Sequence, residues 1–273
     1  MSSLADSDRW TNPSPFMRFA VPCVFFIVLL GIWEESVRIF HISPLILPAP
    51  SAVIYDFWMN AGSLLRSLCN TFLVTIEAFI LATLCGVTLA IVFSRFVLLE
   101  LAIGPLMVIT QVTPMVAIAP LILVWVGLDH VNEAILWIAV VIAFFPIMSN
   151  TLLGLRSINF GLRDMFVLYR ANSWQRLVYL ELPSVLPYIL SGMRIAGGLA
   201  LIGAVVAEFV AGSGTNPGLA WRIVEASNRM NAPRMFSALA LLCCLGVLIS
   251  SLLACLQYVC LRRWHESAVR KDS

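Results

Sequence analysis

Lysine is almost missing from this chain of 273 residues, because only Lys271 among its 17 cationic side chains is a lysine. The nucleotide-binding pattern G-x4-G-K-[ST] needs a lysine that follows a glycine-rich loop, and the sequence does not contain that pattern. Charged residues make up only 12% of the chain, and no basic run is present. The sequence therefore predicts neither a nucleotide-hydrolysing site nor a surface that binds nucleic acid.

Metal-binding and catalytic patterns are lacking as well. The three histidines are scattered, and the seven cysteines show no C-x-x-C spacing. No Ser/His/Asp, histidine-rich or acidic cluster appears that would serve an integral membrane enzyme. We therefore expect no metal, no cofactor, no catalytic residue and no enzymatic activity in this chain.

Apolar residues, by contrast, make up 60% of the chain, whereas a soluble domain is nearer half apolar and a quarter charged. A bilayer crossing needs roughly 20 mainly apolar residues. The stretches that meet this need are residues 17–33, 70–94, 99–123, 134–155, 185–211 and 235–261. We predict an all-α, polytopic integral membrane protein of about six transmembrane helices, with a transmembrane domain at 17–261 between tails at 1–16 and 262–273.

Three segments depart from a plain alternation of span and loop. Pro105, Pro114 and Pro120 interrupt the third predicted span, which should be kinked and should face protein or a cavity. Residues 47–60 predict a short amphipathic helix lying at the membrane interface. The stretch "LAWRIVEASNRM", inside the polar loop 212–236, predicts another short helix.

Arginine placement predicts the orientation. If the N-terminus is cytoplasmic, eleven cationic residues fall on the cytoplasmic side and five on the outer side. Short cytoplasmic loops carry an excess of Lys and Arg, so both termini should lie inside. The longest inner excursion is then residues 156–183, which we call the coupling segment.

The coupling segment has more structure than a connector needs. Apolar residues from Leu162 to Tyr169 predict one short helix, and Asn172 or Ser173 can cap a second helix that starts at Trp174 and ends at Pro183. A folded segment of this kind indicates a docking surface for a soluble partner. The alternative is a re-entrant or membrane-lying helix.

This segment resembles the cytoplasmic pattern E-A-A-x3-G-x9-I-x-L-P of membrane subunits of binding-protein-dependent ABC importers. Asp164, Met165 and Phe166 stand at E-A-A, Arg170 at the glycine, and Leu180, Leu182 and Pro183 at the I-x-L-P end. Further stretches resemble the nitrate, sulfonate, taurine and bicarbonate branch of that family: "LPAPS" (47–51), "TPMVAIAPLILVWVGL" (113–128), "FFPIMSNTLLGL" (144–155), "LPYILSGMRIAGGLAL" (186–201) and "VVAEFVAGSG" (205–214).

The resemblance implies a type I ABC importer permease in the bacterial inner membrane. It implies a homodimeric pair of permease subunits, an extracytoplasmic solute-binding protein, and separate ATPase subunits that dock on the coupling segment. The docking residues would be Asp164, Met165, Phe166, Arg170, Ala171, Trp174, Leu182 and Pro183. The solute would be small and polar or anionic, such as a sulfonate, taurine or nitrate, or else a nitrogen heterocycle.

Ionisable residues inside predicted spans are costly and usually face protein or water. Arg194 is interpreted as a structural strut to backbone carbonyls or an acid, and Glu208 as an acceptor of backbone N–H groups near the Gly-rich loop. Glu77 is either a pathway residue or an acid satisfied by a partner. Glu77, Pro114 and Glu208 are the candidates for the translocation pathway.

A different class of protein, a secondary transporter driven by an ion gradient, remains the alternative. Such a protein would be expected to show a repeated architecture and polar residues near the membrane midplane. The sequence shows no convincing internal repeat.

Overall fold

The computed structural model describes residues 15–212 and 216–262, and within those ranges the regular structure is entirely helical. The helices are α1 (Pro15–Ile39), α2 (Pro50–Arg95), α3 (Val97–Val112), α4 (Met115–Val126), α5 (Val131–Arg156), α6 (Phe160–Leu168), α7 (Ser173–Arg176), α8 (Leu182–Ala211), α9 (Leu219–Asn228) and α10 (Ala232–Leu261). A 3-10 turn at Leu128–His130 precedes α5, and a π-helical turn at Leu177–Glu181 joins α7 to α8. The all-α fold class is confirmed.

Five helices in the described ranges are long and apolar enough to cross a membrane: α1, α2, α5, the continuous helix Ser173–Ala211, and α10. The third predicted span is two shorter apolar helices, α3 and α4, separated at Thr113 and Pro114. Thr113 has extended backbone because the ring of a following proline disfavours the helical conformation. Pro105 and Pro120 lie inside helices, so of the three prolines Pro114 marks the break.

The predicted interfacial helix at 47–60 is wrong as a separate element. Helix α2 runs without interruption for 46 residues, from Pro50 to Arg95. At 1.5 Å per residue it is about 69 Å long, roughly twice the hydrocarbon thickness of a bilayer. No proline lies between the predicted short helix and the predicted span, and the helix accommodates Gly62 and Ser63, the turn-favouring residues at that point.

The chain divides into two compact units, one formed by Met1–Ala61 with Glu225–Ser237, the other by Gly62–Val224 with Ala238–Ser273. In the first unit, Glu34 accepts hydrogen bonds from the Ser51 backbone N–H (3.0 Å) and hydroxyl (2.8 Å), and from Arg38. The Ser237 hydroxyl donates to the carbonyl of Val53 (2.8 Å). These contacts link α1 and the start of α10 to the start of α2.

The second unit has a core of small residues. Its central cluster includes the buried alanines Ala78, Ala82, Ala139, Ala143, Ala196, Ala200 and Ala204, from α2, α5 and α8. Helices α5 and α8 form the most extensively packed pair. A Cβ on Gly192 or Gly203 would lie within 3.0 Å of the α5 backbone, so these glycines set the close approach of the two helices. Small residues at such seams allow dense van der Waals packing without a water-driven hydrophobic effect.

Candidate functional site

The coupling segment contains the two predicted helices. Asn159 caps α6 by accepting a hydrogen bond from Gly161 N–H. Asn172 caps α7 through a reciprocal capping box with Gln175, at 2.7 and 2.9 Å. Of the two candidate caps, Asn172 is therefore the N-cap of α7, and Ser173 is its first residue.

The predicted end of the second helix at Pro183 is wrong. After α7 the backbone makes the π turn Leu177–Glu181 and continues directly into α8, in which Pro183 lies at the N-terminus. Because the helix is continuous here, Pro183 leaves one backbone carbonyl of the preceding turn without its helical N–H partner. The wider π turn lets the chain continue where a proline in a regular helix would break it.

The α6–α7 turn is built around Arg170, which has a φ of 53°. Ala171 N–H donates to the carbonyl of Phe166, and Arg170 N–H donates to that of Val167 (both 2.9 Å). This is a Schellman-type end, in which glycine is favoured because a Cβ raises the energy of the left-handed conformation. The resembled family pattern has its glycine at this position, where a positive φ favours glycine.

We expect Arg170→Gly to raise the free energy of unfolding by about 0.5–1 kcal/mol, because glycine adopts positive φ without the steric cost of a Cβ. Thermal unfolding in one detergent measures the change. Arg170→Ala is the matched control, since it removes the guanidinium but keeps the Cβ. Equal melting temperatures for the two variants would contradict this account of the turn.

The coupling segment exposes a surface rich in large apolar side chains. Phe160, Leu168 and Tyr169 are more than three-quarters exposed, and Trp174 is 71% exposed. Neither α6 nor α7 contains a buried residue. Of the predicted docking residues, Asp164, Met165, Arg170, Trp174, Leu182 and Pro183 are exposed, and Phe166 and Ala171 are half-buried. A short segment with several exposed large apolar side chains is typical of a protein–protein contact.

At the other end of α8, Glu208 is the centre of a buried hydrogen-bonded cluster. Its Oε1 accepts from the hydroxyl of Thr71 (2.8 Å), and its Oε2 accepts from the Ala220 N–H (2.9 Å). The Thr71 oxygen in turn accepts the N–H of Leu219 (2.9 Å). Glu208 thus accepts a backbone N–H, as expected from the sequence, and we call Glu208, Thr71, Leu219 and Ala220 the Glu208 cluster.

The Glu208 cluster satisfies the N-terminus of α9. The first N–H groups of a helix have no partner within it, and a carboxylate there also interacts favourably with the helix dipole. Glu208 is only 4% exposed, so without these donors its charge would be strongly disfavoured. Gly218, just before α9, leaves the space that the carboxylate fills.

A cavity of about 200 Å³ lies beside this cluster. Its lining includes Glu77, Asn70, Asn132, Glu208 and Asn216. Glu77 makes no hydrogen bond or ion pair to any described residue, and its side chain is exposed. No arginine, lysine or histidine is among the described residues that line the cavity.

A second cavity, of about 320 Å³, lies at the break between α3 and α4. Gln111 and Thr113 supply its polar groups, and apolar side chains of α4, α5 and α8 complete the lining. The neighbours of Pro114 therefore line a cavity, which agrees with the expected need of irregular backbone for protein or a cavity beside it.

Arg194 does not form the expected strut. Its side chain is exposed and makes no hydrogen bond or ion pair to another residue in 15–212 or 216–262. At 100° per residue, Arg194 is about 200° around α8 from both Gly192 and Ala196. Those two residues face the helix core, so Arg194 faces away from it.

Sequence reasoning missed Thr71, which binds Glu208, and also Asn70 and Asn132, which line the cavity beside it. These are ordinary polar residues near the ends of predicted spans, and Gly218 is one of several loop glycines. Glu77 and Glu208 gave a signal, because each is an acid inside an apolar stretch. In the described part of the chain, no group of three or more His, Cys, Asp or Glu side chains is close enough to hold a metal ion.

Comparison with known proteins gives one family. The sequence model described as "Binding-protein-dependent transport system inner membrane component" matches residues 82–269, which is more than half of the chain.

Individual relatives cover most of the chain. The riboflavin transport system permease protein RibX of Chloroflexus aurantiacus is 34% identical over 246 residues, covering 89% of this chain and 90% of the relative. The formylaminopyrimidine transport permease protein ThiX of Halalkalibacterium halodurans is 33% identical over 232 residues, covering 83% and 89%. A putative aliphatic sulfonates transport permease protein of Bacillus subtilis is 28% identical over 242 residues, covering 88% and 86%.

Proposed function

The chain belongs to the family of inner-membrane components of binding-protein-dependent transport systems, and from this membership we propose that it imports a small nitrogen heterocycle in an ATP-driven complex. As an ABC transporter permease it is a multi-pass protein of the bacterial inner membrane. In the proposed complex a solute-binding protein delivers the heterocycle, two permease subunits form the pathway as a homodimer, and separate ATPase subunits supply the energy.

The observation that carries the ATPase assignment is the exposed apolar surface of the coupling segment. Leu168, Tyr169 and Trp174 would not stay in water without a partner that covers them. Since the sequence lacks a phosphate-binding loop, the partner is a separate ATPase. We place the coupling segment in the cytoplasm, because most arginines then lie inside. The Glu208 cluster and its cavity then face the side from which solute is delivered.

The charge of the first cavity supports the solute class. Glu77 and Glu208 bring carboxylates to the lining, the asparagines bring amides, and no described lining residue is cationic. An anion such as nitrate or a sulfonate would enter this site against like charge, which costs free energy in a partly desolvated place. A neutral heterocycle with N–H donors would instead donate to Glu77 and exchange hydrogen bonds with the amides. Two relatives with at least 33% identity are named for riboflavin and formylaminopyrimidine.

The test is reconstitution of the permease in vesicles with its proposed partner ATPase and binding protein. Radiolabelled riboflavin, formylaminopyrimidine, taurine and nitrate are compared as solutes. We expect ATP-dependent accumulation of one heterocycle and of neither anion. Accumulation of an anion would contradict the proposed solute class but not the proposed ATP-driven import. Uptake by the permease without an ATPase would favour the secondary-transporter alternative and overturn the whole proposal.

We expect Glu77→Gln to lower the rate of heterocycle uptake about tenfold, because a hydrogen bond to a charged acceptor contributes roughly 1.5–3 kcal/mol. The measurement is initial uptake at a fixed concentration of loaded binding protein. Glu133→Gln is the control, since Glu133 is an exposed acid that pairs with His130. Unchanged uptake in Glu77→Gln would remove Glu77 from the pathway.

A further inference from the structure

A second buried acid, Glu181, lies where the coupling segment enters the long helix of the core. Its Oε2 accepts a hydrogen bond from Arg95 at 2.6 Å, and its Oε1 accepts one from Arg176 at 2.9 Å. The Glu181 side chain is 7% exposed, while those of Arg95 and Arg176 are 22% and 38% exposed. We call these three residues the Glu181 ion cluster.

The three residues come from three different places in the fold. Arg95 is the last residue of α2, Arg176 is the last residue of α7, and Glu181 ends the π turn that leads into α8. The neighbouring Leu180 is buried in an apolar cluster with Phe93, Phe145 and Leu155. One carboxylate therefore connects the coupling segment both to α8, through the chain, and to α2, through the Arg95 ion pair.

The geometry makes this contact a rigid one. Charge-assisted hydrogen bonds in a place poor in water are short and strong, and each oxygen of Glu181 has its own arginine. Burial also makes the contact costly to break, because an acid left without its partners keeps its desolvation penalty. A lone exposed pair would flex, whereas a doubly paired buried acid holds its neighbours in one arrangement.

We propose that Glu181 is a positioning residue that transmits movement of the coupling segment into α2 as well as α8. Movement of a docked ATPase would reach α8 through the continuous helix in any case. Without Glu181, only apolar contacts such as that of Leu180 with Phe93 would join α2 to the coupling segment, because no other hydrogen bond or ion pair within the described residues does so. Such contacts can slide, so α2 would follow the movement less closely. The inference rests on the proposed function, since it assumes a driving subunit on this surface.

The test uses the complete complex in vesicles, with the panel solute that the wild type accumulates as the probe. ATP hydrolysis and uptake are measured in the same vesicles, and their ratio is the readout. We expect Glu181→Gln to lower the number of solute molecules imported per ATP about tenfold, while hydrolysis stays within about twofold of wild type. Arg95→Gln should give the same ratio as Glu181→Gln, and the double variant should be no worse than either.

Glu133→Gln is again the control, because this acid is paired but 61% exposed, and its ratio should equal that of the wild type. If uptake and hydrolysis in Glu181→Gln fall together, in proportion to the amount of assembled complex, Glu181 serves only stability and the inference is wrong. If Arg95→Gln leaves the ratio unchanged, the contact with α2 transmits nothing. Wild-type vesicles that show no ATP-dependent uptake would refute the proposed function itself, and this inference would fall with it.

Discussion

Gly218→Ala is expected to lower the free energy of unfolding of the permease by about 2–4 kcal/mol, because the added methyl group takes the place of a buried carboxylate. The three atoms nearest to a Cβ at this position all belong to the carboxylate of Glu208. The acid would have to move, and its hydrogen bonds to Thr71 and Ala220 would be lost or stretched. The first turn of α9 would then lose the acceptor of its N–H groups.

Thermal unfolding in detergent measures this effect, and a loss of that size corresponds to roughly 5–15 °C in melting temperature. Gly62→Ala is the matched control, since no atom lies within 4 Å of a Cβ at Gly62 in α2. Alanine is the better helix former, so the control should melt at or slightly above the wild-type temperature. Similar melting of the two variants would show that the Glu208 cluster contributes little to stability.

Trp174→Ala is expected to weaken capture of the ATPase subunit about thirtyfold or more, because a buried tryptophan at the centre of an interface typically contributes 2 kcal/mol or more. In the permease alone Trp174 is 71% exposed and belongs to a helix with no buried residue. Its removal should therefore leave the fold and the melting temperature of the isolated permease unchanged. The loss should be seen only in the assembled complex.

Titration of detergent-solubilised permease with the purified ATPase measures the dissociation constant. Trp58→Ala is the control, because Trp58 is of the same type and 73% exposed but lies on α2 rather than on the coupling segment. We expect wild-type affinity for that variant. An equal loss in both variants would point to a general effect of tryptophan removal, and no loss in Trp174→Ala would place the ATPase on a different surface.

Much of the fold could be predicted because the relevant forces act between neighbours in sequence. Apolar length indicates spans, and five of the described helices are long and apolar enough to be spans. The capping box at Asn172 and the interruption at Pro114 are also local features, set by side chains within four residues. The short helix Leu219–Asn228 is predicted as well, although distant Thr71 and nearby Glu208 satisfy its N-terminus. Family membership could also be predicted, because the order and spacing of the motifs are read directly from the sequence.

Three predictions from the sequence differ from the structure, because each rested on a local pattern and the surrounding structure has the larger effect. The proline at 183 predicts a helix end, yet the chain makes a π turn and continues as α8. The amphipathic stretch 47–60 predicts a separate interfacial helix, yet the helix continues to Arg95. The cost of a buried charge predicts a partner for Arg194, yet the Arg194 side chain is exposed.

The sequence by itself determined that this protein is helical, crosses a membrane and belongs to the binding-protein-dependent permeases. Composition, apolar length and motif order do not depend on contacts between residues that are distant in the chain. Only the tertiary structure decided which acids are satisfied. Glu208 meets Thr71 from 137 positions away, and Glu181 meets Arg95 from 86 positions away. Such pairs depend on which helix faces which, and this in turn depends on the packing of small residues between α2, α5 and α8. Those distant partners set the free energy of a buried charge. The acids can therefore be found in the sequence, but their partners are determined by how the helices pack.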